Sequence, residues 1–359
     1  MPYRGVSLHP RRGMSNQRPA PPIDYRELKQ LVTNQGLLAP QNGYYAFKAA
    51  AAFAGIALAV WVTLATGHFA IVLLGALLMA FASTQVALLG HDVGHRQGFR
   101  GHHTNLIARF IFGNLLLGIS HTWWSNKHNQ HHATPNHIDL DPDIQFPMVV
   151  FSIGQLASRS TKLRPLIALQ AFIFPMLLPL QAANMRITSI QHLLSGSAKR
   201  PLLQATVMAG HFALYGVLLF AIGSWPLAIA FVAVHQLAFG LYNSSVFASN
   251  HKGMQVIEAG GRMDFLREQV LTSRNVSGHP LTDFWYGGLN YQIEHHLFPT
   301  MPRNKLRQAQ PIVEDFCRRL GISYHSTGLF TSYREGWSHL YRLGIEARHS
   351  TAATATVAE

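Results

Sequence analysis

Histidine is the residue whose placement first suggests chemistry. The chain carries 21, and three short runs gather most of the interest: His91 and His95 in HDVGH, His128, His131 and His132 in HNQHH, and His295 and His296 in QIEHH. Spacings of three and four set imidazoles on one side of a helix, so each run is shaped to present several ring nitrogens together. By composition roughly one HxxxH pair arises by chance, but only about 0.07 of a full HxxHH triplet. The first run alone is therefore a weak motif, whereas two runs ending in a histidine pair are not accidental. Neutral imidazole suits Zn, Cu, Fe and Ni. One zinc needs about three or four protein ligands, so seven clustered histidines have the capacity for two ions. The single cysteine, Cys317, excludes an intramolecular disulfide and any multi-cysteine metal or iron–sulfur site.

Something must hold these runs together, and the composition says what. Hydrophobic residues make up 48% of the chain and charged residues 13%, about half the usual charged share of a soluble domain, which predicts that lipid is part of its solvent. Stretches 46–66 and 68–89 are nearly free of charge, parted only by Gly67, and read as a tight transmembrane hairpin. Stretches 204–223 and 225–248, turning at Ser224 and Pro226, read as a second. The weaker apolar stretches 104–119 and 166–183 are expected to be interfacial or re-entrant, the latter broken by Pro175 and Pro179. The predicted class is all-α and integral to a membrane, with about four transmembrane helices in two hairpins capped by a helical domain that carries the histidines.

The net charge of +13 suits nucleic acid, anionic headgroups or a phosphate-bearing substrate, and position chooses among them. No Lys or Arg occurs in 49–90 or in 201–251. The basic residues thus lie outside these stretches, on one face, which the positive-inside rule names cytoplasmic. The charge reads as membrane topology, with both termini and all three histidine runs on the cytoplasmic side and no nucleic-acid partner. Residues 1–22 read as a disordered basic tail without a secretory signal, and 349–359 as a flexible tail.

The runs HDVGH, HNQHH and QIEHH, with the surrounding GISHTWWSNKHNQHHATPNHIDLDPDI and FWYGGLNYQIEHHLFP, strongly resemble the membrane fatty acid desaturase family, in its acyl-lipid and acyl-CoA branch whose third box begins with Gln. The resemblance runs from about residue 44 to 320 and makes 23–348 one membrane desaturase domain. It implies that His91, His95, His128, His131, His132, His295 and His296 bind two irons, that O2 is a co-substrate, and that His251, after the last span, is a further ligand. Gln292 and Asn250 are candidates for weak or water-mediated contacts. Asp92, Asp139, Asp141, Asp143 and Glu294 are expected to accept ring N–H bonds from ligand histidines. Trp123, Trp124, Phe284, Trp285 and Tyr286 are candidates for lining an apolar substrate tunnel. His102, His103, His121 and His137 are assigned solvated or supporting roles, and His211 and His235 helix–helix hydrogen bonds.

The implied reaction places a C=C bond in an acyl chain carried by CoA or a lipid. Some relatives carry a fused cytochrome b5 domain with an HPGG motif; here His279 and Pro280 are followed by Leu281. A separate electron donor is expected, such as a ferredoxin, a rubredoxin-like protein, or cytochrome b5 with its reductase. Two rival readings remain: a lipid or alkane hydroxylase on the same scaffold, and a membrane metal transporter, against which stands the position of the histidines outside the spans.

Overall fold

A computed structural model describes residues 23–356, with side chains through residue 349; the expected tail 1–22 and residues 357–359 lie outside the described residues. Among the described residues four helices are long and apolar enough to cross a membrane: Asn42–Leu64, Phe69–Gly94, Pro201–Ala221 and Trp225–His251. They are called the first to fourth spans below. Their outward faces carry large apolar side chains with nothing packed on them, among them Trp61, Phe220 and Ile229, each more than 60% exposed. A contiguous apolar surface of this kind is stable against lipid tails and costly against water.

The second span lies at the centre of the bundle, against both the first and the fourth, and is the most buried of the four. The fourth approaches the chain at Pro179 so closely that a Cβ on Gly240 would sit 2.0 Å from the Pro179 carbonyl oxygen. Only glycine permits that contact. The polar groups inside the bundle pair across helices: His235 with the Tyr215 hydroxyl (2.8 Å) and Ser83 (3.2 Å), His211 with the Leu115 carbonyl (2.9 Å). This is the bonding expected of them, since an unpaired polar group in hydrocarbon is costly.

The second and fourth spans do not stop where their apolar stretches end. Each continues as a helix for about one more turn, to Gly94 and His251, and so lifts histidines off one end of the bundle. The weaker stretches are irregular. Helix His102–Arg109 runs into a π-helical turn, Phe110–Leu115, and the segments Thr161–Ile167 and Gln170–Leu194 meet at a bend of 74°.

The cap is mostly helical, with a short parallel pairing of Asn275–Val276 with Ser326–Thr327. Its core packs Leu28 and Val32 of the first helix, Ile23–Asn34, against Leu306, Val313 and Phe316 of Arg303–Arg319, with Ile293 and Leu297 beneath. The Tyr25 hydroxyl donates to the Leu297 carbonyl (2.8 Å), which pins the end of the QIEHH helix. The last helix is Leu329–Thr356.

Candidate metal centre

Four pieces of backbone deliver the histidines: the extended ends of the second and fourth spans, helix His121–Ala133, and the short helix Gln292–Leu297. Ser120 caps His121–Ala133 by accepting from the Trp123 N–H (3.2 Å). Trp124 stacks on His128, with ring centroids 4.4 Å apart and planes at 26°. The ring fits there because position 94 is glycine: a Cβ would come within 2.1 Å of Trp124 Cζ3.

Two groups result. His91, His95, His128, His132 and His295 form one, and His131, His251 and His296 the other, with one nitrogen from each residue within 4.8 Å of the rest of its group. Box two therefore serves both. His128 and His132, four residues apart, face the first group, and His131 turns to the second.

The nitrogen contacts themselves test whether these sites fit metal. In the first group Nε2 of His128 lies 2.9 Å from Nε2 of His95 and 3.1 Å from that of His132, which in turn lies 3.1 Å from that of His295. Each Nε2 of a neutral ring holds either a proton or one lone pair, so four such atoms sustain at most two hydrogen bonds. Three close contacts cannot be met by protons, and a shared cation satisfies them all. Nε2 of His91 and of His296 are buried with no hydrogen-bond partner. Burial, and then mutual repulsion, hold the pKa values of His95, His128, His132, His295 and His296 well below the ordinary imidazole value. The rings are neutral and their lone pairs are available, so the donor set fits two metal ions.

The opposite ring edges are anchored in the second group. Nδ1 of His131 donates to both oxygens of Asp141 (3.0 Å each), Nδ1 of His251 to the Thr272 carbonyl (3.0 Å), and Nδ1 of His296 to Gln269 Oε1 (2.9 Å). Each bond fixes a tautomer that leaves Nε2 free. Burial opposes protonation of His131, but the charges of Asp141 and Asp143 outweigh it and raise its pKa. Asp141 is fully buried and also accepts the backbone N–H groups of Asn136 and Asp143 (2.8 Å each). Asp143 pairs with Lys127 and lies 3.7 Å from His131. In the first group His91 Nδ1 is 3.4 Å from Asp92, whose other oxygen forms an ion pair with Arg303 Nε at 2.8 Å.

Other expected residues fall differently. Glu294 accepts no ring N–H: its oxygens accept from Asn275 and Tyr324 (2.7 Å each), because its side chain leaves the helix on the side away from the histidines it adjoins. Asp139 meets only His137, through its own N–H. The Gln292 amide nitrogen lies 3.0 Å from His251 Nε2, and Asn250 donates to Gln292 Oε1 (3.0 Å), so both reach the second group. Trp123 packs into the apolar core of the spans. Trp285 stacks on Tyr242 at 3.8 Å, and Tyr286 is buried with its hydroxyl on Ser249 (2.9 Å). His102 and His103 are exposed, and neither they nor His121 and His137 join a metal group.

Sequence reasoning missed Gln269, Thr272, Arg303 and Asn136. Asn136, at φ 54°, donates to the carbonyls of His251, Gln255 and Thr272 and so ties box two to the end of the fourth span. None of the four lies in a histidine run, and a backbone carbonyl leaves no mark in a sequence.

Fold and site together define a class: a helical membrane protein with two histidine-built metal groups at one end of its spans. Comparison with known proteins then gives the family. The pattern of the fatty acid desaturase family matches residues 67–328. The chain is 31% identical over 346 residues to the Delta(6)-fatty-acid desaturase fat-3 of Caenorhabditis elegans, covering 92% of this chain and 76% of that one. It is 32% identical over 320 residues to an acyl-lipid (9-3)-desaturase of Physcomitrium patens, covering 86% of this chain and 60% of that protein's length. A Delta(8)-fatty-acid desaturase of Helianthus annuus is 26% identical over 343 residues. The chain belongs to the fatty acid desaturase family, and hence to the oxidoreductases.

Proposed function

We propose that this protein is a fatty acyl desaturase that holds two irons on His91, His95, His128, His131, His132, His251, His295 and His296 and places a C=C bond in an acyl chain. The observation that carries this reading is the division of eight histidines, six buried and two half-buried, into groups of five and three, in a chain related to desaturases along nearly its whole length. When bound, a reduced pair of irons supplies O2 activation strong enough to remove hydrogen from an unactivated methylene pair, with two electrons from a separate donor and water as the other product.

The protein's own residues position and insulate. Asp141, Thr272 and Gln269 orient three rings, Asp92 and Arg303 steady His91, and Gln292 reaches the second group as a polar contact beside His251. Trp124 shields one flank of His128, and Trp285 and Tyr286 are proposed to border the acyl path. The absence of basic residues from 49–90 and 201–251 supports a cytoplasmic position for the site. The relatives' printed names, fatty-acid and acyl-lipid desaturases, support an acyl chain as the substrate.

Expression in a desaturase-deficient microbial host with a compatible electron donor, followed by gas chromatography–mass spectrometry of derivatised fatty acids, tests the proposal. A new unsaturated acid that disappears in His131→Ala is the expected result. Hydroxylated lipid alone, or no change from well-folded and iron-loaded protein, refutes it.

A further inference from the structure

The last helix begins at Leu329, immediately after the residues that the desaturase pattern matches, and its side chains divide into three sectors. Ser332, Leu340, Leu343 and Ala347 are buried. Leu340 packs with Phe151 and Ala171, and a Cβ on Gly344 would come within 2.8 Å of the Ala168 carbonyl oxygen. Glu335, Arg342 and Glu346 make a polar sector. Between the two runs an aromatic stripe of Phe330, Trp337 and Tyr341. At 100° per residue these three fall within about 40° of one line, about 120° from the buried sector. All three are exposed, Phe330 by 85%, and a row of exposed aromatic rings is costly against water.

The stripe is continuous with the lipid-facing wall of the spans. Trp337 and Tyr341 stack at 5.1 Å with planes at 14°, and both meet Phe172 edge-on, at 6.1 and 6.4 Å. Phe172 belongs to helix Gln170–Leu177, and the exposed apolar surface around it extends through Leu169, Met176 and Leu180. The turn Leu178–Leu180 lies on the fourth span, where the Ser244 hydroxyl donates to the Leu178 carbonyl (3.1 Å), beside the outward-facing Leu237 and Leu241. The level of the helix is fixed as well. The Tyr333 hydroxyl donates to the Ser245 carbonyl (2.9 Å), close to where the fourth span leaves its apolar stretch. Trp and Tyr are the residues favoured at that depth, the headgroup level of a bilayer. The exposed Arg334 and Arg348 lie on the same side of the helix, as suits lipid phosphates.

We infer that the last helix lies along the membrane surface, with Phe330, Trp337 and Tyr341 sunk into the interface, and that it anchors the cap to the bilayer. The same helix braces the second metal group. Glu335 pairs with the buried Arg274, two residues past the Thr272 carbonyl that orients His251, and a Cβ on Gly336 would lie 3.2 Å from the carbonyl oxygen of Lys252, the residue after His251. The anchor thereby sets the height of that group above the lipid. The inference goes beyond the desaturase reading and does not depend on it.

Spin labelling of the full chain in nanodiscs of phosphatidylcholine and phosphatidylglycerol tests this. Cys317 is the only cysteine and is buried, so a single introduced cysteine takes the nitroxide selectively. Phe330→Cys and Tyr341→Cys report on the stripe, and Arg342→Cys and Glu346→Cys on the polar sector. Power saturation compares collisions with O2, which partitions into lipid, and with a water-soluble nickel chelate. The stripe labels are expected to favour O2 over nickel several-fold, and the polar labels the reverse. Nickel access at the stripe equal to that at the polar sector would put the helix in water. Exclusion of both reagents, with broadening between labels, would put a second copy of the chain on the stripe. Either result overturns the inference. A reading without labels comes from lipids brominated near the glycerol: their quenching of tryptophan emission is expected to fall in Trp337→Phe, and unchanged quenching also overturns it.

Discussion

Asp141→Asn isolates what a single buried carboxylate does for the metal centre. The Asp141 oxygens take His131 Nδ1 from the side and the backbone N–H groups of Asn136 and Asp143 from either end. Each oxygen is therefore an acceptor that cannot become a donor. An asparagine side chain must turn its NH2 toward one of these N–H groups, which leaves a buried donor facing a donor at a cost of about 1–3 kcal/mol. The charge that keeps His131 Nδ1 protonated and makes Nε2 a better ligand is lost as well. Loss of such an outer partner lowers metal affinity about 10–100-fold, or about 1.4–2.8 kcal/mol. The assay is competitive chelation of iron from the purified protein, read by elemental analysis, with circular dichroism to check the fold. Weaker retention of one iron of two is expected, because Asp141 serves the group of three and not the group of five. Retention of both irons at wild-type affinity, or equal weakening of both, would refute the assignment of His131 to a separate second site.

Three further outcomes follow from the packing and charges. Gly94→Ala drives a Cβ into Trp124 and is expected to cost about 1–3 kcal/mol of stability; adding Trp124→Leu should recover much of it in thermal unfolding, and no recovery would contradict the contact. Arg303→Gln strands the buried Asp92 carboxylate, with an expected loss of about 3–5 kcal/mol, and Asp92→Asn in the same chain should restore most of it. Burial pushes the Glu294 pKa from 4.5 up to about 7 against the opposing bonds from Tyr324 and Asn275. Because the folded value is raised, this group's contribution is fully present below pH 4.5 and is lost as pH rises through 7, a span of about 3 kcal/mol. The buried neutral histidines act in the opposite sense, so the measurement is the difference in melting temperature between metal-free wild type and Glu294→Gln: the wild type is expected to lose stability relative to the variant as pH rises through that window, and a difference that does not change with pH would contradict the assignment.

What the sequence determines here is periodic or compositional. Uncharged runs of about 20 residues can only be satisfied as helices in lipid, so the four spans were legible to within a few residues at each end. Histidine spacings of three and four are helical by construction, so each run was legible as a set of imidazoles sharing one helical face. The structure alone decides which ligand goes where. That His131 parts company with His128 and His132, one residue away from the latter, follows from the 100° turn per residue of a helix lying between two sites. That Glu294 turns to Tyr324 and Asn275 while His295 and His296 face the metal groups has the same cause. The supporting bonds from Gln269, Thr272, Asn136 and Arg303 join segments more than a hundred residues apart in several cases, through carbonyls and loop side chains that carry no local pattern. Such contacts exist only once the cap has packed over the spans, because packing, not spacing, brings those groups within hydrogen-bonding distance.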